Sequence, residues 1–116
     1  MTQFSKASDV ISQNDHAIVV FTRDDKFYFD DLGNGTTGNW VIDPDNLEEI
    51  DKVIIYSRKP DENVNRIFLG NYAGHRNSEE PGRYIIRFSH HKEVGTTDSN
   101  WHEFSGSGQN PVSYVN

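Results

Sequence analysis

The run Lys52-Val53-Ile54-Ile55-Tyr56-Ser57 is apolar at four consecutive positions. A β-strand with large apolar side chains on both faces has to be covered from both sides, so this segment belongs at the centre of a sheet. The rest of the chain must then supply neighbours and two covering layers. Arg66–Tyr72 and Arg83–Phe88 are rich in β-branched and aromatic residues and are expected to pair beside it. Gly70 interrupts the first of these and Gly74 follows just beyond it. Glycines within a strand mark a bulge or a tight bend, the device by which a sheet curls toward a barrel.

The remaining segments are read in chain order. Thr2–Gln13 places Phe4, Ala7, Ser8 and Ile11 at helical spacing behind a Thr2 cap, which predicts a short amphipathic helix over the sheet. Ala17–Phe21 and Lys26–Phe29 flank Arg23-Asp24-Asp25 and read as a hairpin. Leu32–Gly38 carries three glycines and reads as an ordinary loop rather than a phosphate cradle, since it lacks the Gly-Lys-Ser/Thr ending of a P-loop. Asn39–Ile42 reads as a strand. Asp43–Ile50 has a capping Asp, Pro44 at the first helical position and acids at the positive end of the dipole, which predicts a short helix. Asn100–Phe104 is expected as a last short strand, with Asn110–Tyr114 extended. The sum is one α+β domain spanning 1–116: a small, partly open β-barrel with one N-terminal helix and one short helix.

Charge narrows the function classes. The net charge is −7, and residues 1–64 hold 13 acidic and 6 basic side chains against 5 of each in 65–116, so the whole excess lies in the first part. Non-specific DNA binding is disfavoured, although a phosphate group can still meet the arginines of the second part locally. The chain has no cysteine, which removes disulfides, thiol nucleophiles and thiolate metal sites. No stretch approaches the roughly 18 apolar residues of a membrane span, and the first residues lack the order of an export signal, so a cytoplasmic location and no membrane partner are expected.

The runs Asp51–Arg58, Ile67–Tyr72 and Gly82–Phe88 together resemble the PUA-like barrels, including the EVE and ASCH groups, over about residues 39–104. That superfamily places a Val/Ile-rich strand ending in Tyr and a small residue before a strand that carries a glycine. The resemblance implies a pseudo-barrel whose cleft accepts a base or nucleotide, with Tyr56 and Ser57 ending the central strand at the cleft and Trp40 as a wall. The lysine- and glutamate-bearing ASCH motif is not present.

Aromatic rings stack on bases and arginines contact phosphates, so Trp40, Tyr56, Tyr72 and Trp101 with Arg58, Arg76 and Arg87 form a candidate base reader. Ser57 and His75 complete the ligand-binding set. His90 and His91 are adjacent, and neighbours on a strand point to opposite faces, so no metal site is assigned to them. No nucleophile elbow, HExxH or dinucleotide fingerprint is present, and neither catalytic residues nor a cofactor are assigned. The expected role is a non-catalytic module that accepts a nucleotide, a modified base or a related small polar ligand. The alternative is an acidic interaction protein, a nucleic-acid mimic for instance, that meets a basic partner through Asp15, Asp24, Asp25, Asp30, Asp31, Asp43, Asp45, Glu48, Glu49 and Asp51.

Overall fold

A computed structural model describes residues 2–23, 27–58, 63–106 and 110–115. In chain order the elements are β1 (Thr2–Gln3), a 3₁₀ turn at Ala7–Asp9, β2 (Ala17–Thr22), β3 (Phe27–Phe29), β4 (Gly35–Val41), a 3₁₀ turn at Pro44–Leu47, β5 (Lys52–Arg58), β6 (Asn65–Asn77), β7 (Arg83–Thr97), α1 (Trp101–Ser105) and β8 (Val112–Val115). Among the described residues the strands form one eight-stranded sheet in the order β3-β4-β7-β6-β5-β2-β8, with β1 added in parallel along β7.

β5 is central as its pattern requires: it pairs with β2 in parallel and with β6 in antiparallel fashion, and Val53 to Ser57 are all buried. β2 shares this environment, and Ala17 to Val20 are fully inaccessible. Two apolar clusters account for the double burial. One joins Ile18, Val20, Phe27, Trp40, Ile42, Leu47, Val53, Ile55, Ile86, Phe88 and Val112. It contains residues of both β3 and β8, the two ends of the strand order, which requires the sheet to curl around it. The result is barrel-like but not closed, and this cluster fills its inside. The second cluster, Ala7, Ala17, Val19, Ile54, Tyr56, Ile67, Trp101 and Phe104, lies on the outer face, where the N-terminal segment and α1 cover the sheet.

The curl has visible causes. Between Asn71↔Ser89 and Leu69↔Lys92, β7 carries two residues, His90 and His91, opposite the single Gly70. His90 takes φ 52°, the left-handed region, at this bulge. Farther along, Ala73 and Gly74 of β6 bulge between Tyr72↔Phe88 and His75↔Ile86, with Gly74 at φ 110°. Both glycines therefore mark bends, in one case through the opposite strand.

Several local expectations are corrected. The N-terminal helix reduces to one 3₁₀ turn, because Thr2 and Gln3 are drawn into strand pairing with Gly95 and Thr96. Phe4, Ala7 and Ile11 still cover the outer face, as their spacing demanded. β2 and β3 do not form a hairpin: β2 lies between β5 and β8, while β3 is the far edge and pairs with β4. The turn expected between them, at Asp24 and Asp25, lies outside the described residues, as does most of the turn after β5. The strand beginning at Asn39 starts earlier, at Gly35, so the glycine-rich loop is only a short turn. Asp43 caps the following segment by accepting from the Asp45 amide (3.0 Å), yet the segment holds only 3₁₀ geometry. Residues 101–105 are helical rather than extended. Asn100 caps α1 by accepting from the Glu103 amide (3.0 Å), and Gly106 ends it at φ 73°.

Candidate functional site

The sheet's outer face is covered only in part. Directly opposed residues of neighbouring strands share a face, so the pairings Lys52↔Asn71 and Asn71↔Ser89 form one outward row, and Tyr28↔Thr36 and Thr36↔Arg87 form the next. The second cluster ends before these rows, and Tyr28 (65% exposed), Asn71, Ala73 and Arg87 are open to solvent. Burying Ile86 and Phe88 on the inside forces Arg87 and Ser89 outward through the period of two. Arg76, opposite Ile85, belongs to the same face.

On this uncovered half lies an open groove of about 370 Å³ lined by Asp30, Asn34, Thr36, Ala73, Arg87 and Ser89. The Arg87 side chain makes no hydrogen bond or ion pair with the described residues. Its neighbour Arg83 differs: the Nε donates to Glu80 (3.0 Å) and Nη1 to the Asn39 carbonyl (3.2 Å). Lys52, in the adjoining row, donates to Asn71 Oδ1 (2.7 Å).

The wall at Asp30–Asn34 is rigid for a reason that settles the glycine-rich segment. Asp30 Oδ1 accepts from the amides of Leu32 (2.9 Å) and Asn34 (3.0 Å), and the Gly33 amide donates to the Asp30 carbonyl (3.2 Å). The anion that these amides hold is the turn's own carboxylate. His91 fastens the turn from below, with its amide donating to the Gly33 carbonyl (2.9 Å) and its Nδ1 3.0 Å from the same oxygen. The His91 ring is in turn packed among Phe27, Phe29, Phe68 and Phe88 at centroid distances of 4.5–5.8 Å.

The nine residues singled out by sequence do not share one concavity. Trp40 is buried in the inner cluster, its Nε1 donating to Thr37 Oγ1 (3.1 Å), and Tyr72 packs against the same cluster. The Tyr72 hydroxyl is 2.9 Å from Nδ1 of the exposed His75, and burial pushes the Tyr72 phenol up. Tyr56 lies across the sheet in the outer cluster, packed against Trp101 of α1 with ring centroids 5.4 Å apart. The Tyr56 hydroxyl donates to the Ser99 carbonyl (2.9 Å); burial pushes its phenol up, and the Arg58 charge partly offsets this. Trp101 Nε1 donates to the Asn110 carbonyl (2.6 Å). Ser57 is buried, and Arg58 is exposed at the far end of β5 from Lys52. Of the nine, Arg76 and Arg87 share the uncovered face, and Arg87 alone lines the groove.

Tyr28, Thr36, Asn34 and Ser89 were not legible as partners of Arg87. The alternation of Ile86, Arg87, Phe88 and Ser89 does carry the signal that Arg87 and Ser89 point together. The other three arrive only through the long-range pairing of β4 with β7.

Half of the eight described positions of the acidic set, Asp15, Asp30, Asp43 and Asp51, are occupied by local structure. Asp9 accepts from the Lys6 amide (3.1 Å), Asp15 from the Ser12 amide (3.2 Å) and Asp51 from the His16 amide (3.2 Å), besides the caps of Asp30 and Asp43. Asp24 and Asp25 lie outside the described residues. Among the described residues no group of three or more His, Cys, Asp or Glu converges, and no helix is long and apolar enough to cross a membrane. Comparison with family models, with curated proteins and with solved structures finds no match.

Proposed function

We propose that this chain is a non-catalytic binding module of PUA-like build that accepts a nucleotide or a related small polar ligand carrying an anionic group. The uncovered half of the outer sheet face is its site. The observation that carries the reading is Arg87: a guanidinium opening on a polar groove, without a partner among the described residues, on a protein of net charge −7. An arginine of this kind is the usual residue for bidentate recognition of phosphate or carboxylate. The hydroxyls of Thr36 and Ser89 and the Asn34 amide line the same space and add neutral hydrogen-bonding groups. Tyr28 lies in the same cross-strand row, two strand spacings or about 9–10 Å from Arg87 along the sheet. That separation suits a ligand with a ring at one end and an anion at the other, since aromatic side chains stack on bases.

The inside of the curled sheet offers less, because Trp40, Phe27 and Phe88 fill it with one another. The reading is tested by calorimetric titration with adenosine and guanosine monophosphates. Arg87→Ala is expected to weaken binding about tenfold or more, with Arg87→Lys intermediate, as loss of a charge-assisted pair implies. Equal affinity for the wild type and Arg87→Ala would overturn it.

A further inference from the structure

A second pocket, of about 270 Å³, lies at the other end of the strand order, between the 3₁₀ turn Pro44–Leu47 with its following residues and the edge strand β8. It is lined by His16, Asn46, Glu49, Ile50, Tyr114 and Val115. The Glu49 carboxylate and the His16 imidazole have no hydrogen bond or ion pair with the described residues, although both belong to this one pocket. Tyr114, 39% exposed, stands beside Asn46 in this lining.

The lining is one-sided in charge. Among the described residues it contains no lysine or arginine, and Asp43 stands close enough to Tyr114 to hinder its ionisation. Asp45 and Glu48 are exposed on the same turn. An anion placed here would be repelled, and a multiply coordinated metal ion would find, among the described residues, one imidazole and one carboxylate. A compact organic cation meets complementary groups instead: a carboxylate and a ring nitrogen to accept its N–H bonds, an aromatic ring that attracts positive charge, and Ile50 and Val115 for an alkyl stem. The volume is below the range of about 300–1,000 Å³ that encloses drug-sized molecules, so the fitting unit is the size of one side chain.

We infer that this pocket is a seat for a single alkylguanidinium or alkylammonium group, held by Glu49, His16 and Tyr114. The group can come from a free small cation or from an arginine or lysine side chain of another protein. The site is independent of the Arg87 groove.

The test follows backbone and Tyr114 ring shifts by NMR during titration with agmatine, with 1-pentanol as the neutral control, and with a capped tetrapeptide containing one arginine. Saturable shifts at His16, Asn46, Glu49 and Tyr114 are expected with agmatine and not with pentanol. They should weaken about tenfold in Glu49→Gln and persist in Arg87→Ala. Tighter binding of the peptide than of agmatine identifies a protein side chain as the occupant; equal or weaker binding identifies a free cation. Glu49 is exposed, so the Glu49→Gln spectrum should otherwise match the wild type. Absence of saturable shifts at these residues with every probe, or binding indifferent to Glu49→Gln, overturns the inference.

Discussion

A Cβ built on Gly70 would stand 3.1 Å from the Cβ of His91, with the Ser89 carbonyl at 3.3 Å and the Phe88 Cβ at 3.4 Å. The bulge in β7 is therefore seated on the missing side chain of β6. Gly70→Ala crowds His91, which fastens the Gly33 turn, and a loss of about 1–3 kcal/mol is expected in urea unfolding. Gly82→Ala is the control. Its added Cβ meets nothing within 4 Å, so only the positive φ of 79° opposes it, at about 1 kcal/mol.

The outer cluster depends on α1 lying down over Tyr56. Asn100→Ala removes the acceptor of the Glu103 amide and should cost about 1 kcal/mol. Hydrogen exchange at the Glu103 and Phe104 amides should accelerate, while amides of β6 and β7 keep their protection.

Trp40 and Trp101 are packing residues in this structure, on opposite faces of the sheet. Trp40→Phe and Trp101→Phe are each expected to lower stability by about 1–3 kcal/mol, through lost volume and a lost indole hydrogen bond. Thermal unfolding measures the loss. Nucleotide affinity, measured well below the transition, should stay within about twofold of wild type, which separates these positions from Arg87.

Burial raises the Tyr56 phenol above its ordinary value, so the folded chain keeps a proton that the unfolded chain releases. Stability from this group is complete below the unfolded pKa of about 10 and is lost as pH rises through the higher folded value. Tyr72 and Tyr114 shift the same way for the same principal reason. Tyr56→Phe should make the fall in stability above about pH 10 shallower. At neutral pH it should cost about 0.5–1.5 kcal/mol for the bond to Ser99.

What was legible in the sequence follows from how local each cause is. Val53 to Tyr56 reported their own burial on both faces, and Asp43-Pro44 reported its cap. The parallel pairing of β2 with β5 was not legible: it joins segments more than thirty residues apart, and the nearer hairpin reading competed with it. Asn100 to Phe104 is short and carries two aromatic residues, as strands often do, and that composition outweighed the i, i+3 spacing of Trp101 and Phe104, the cap at Asn100 and the left-handed stop at Gly106. The aromatic residues were visible as chemistry but not as neighbours. A shift of one position moves a side chain through the sheet, so Trp40 and Tyr56 were sorted to opposite faces by register alone. Arg87 was visible as a charge, and its groove appeared only once β4 was placed beside β7.

The most direct measurement is a map of NMR amide shifts during titration with adenosine and guanosine monophosphates. Saturable shifts are expected to concentrate at Thr36, Arg87 and Ser89, extend to Tyr28, and need about tenfold or more nucleotide in Arg87→Ala. Saturable shifts centred elsewhere, or none at millimolar nucleotide, would contradict this.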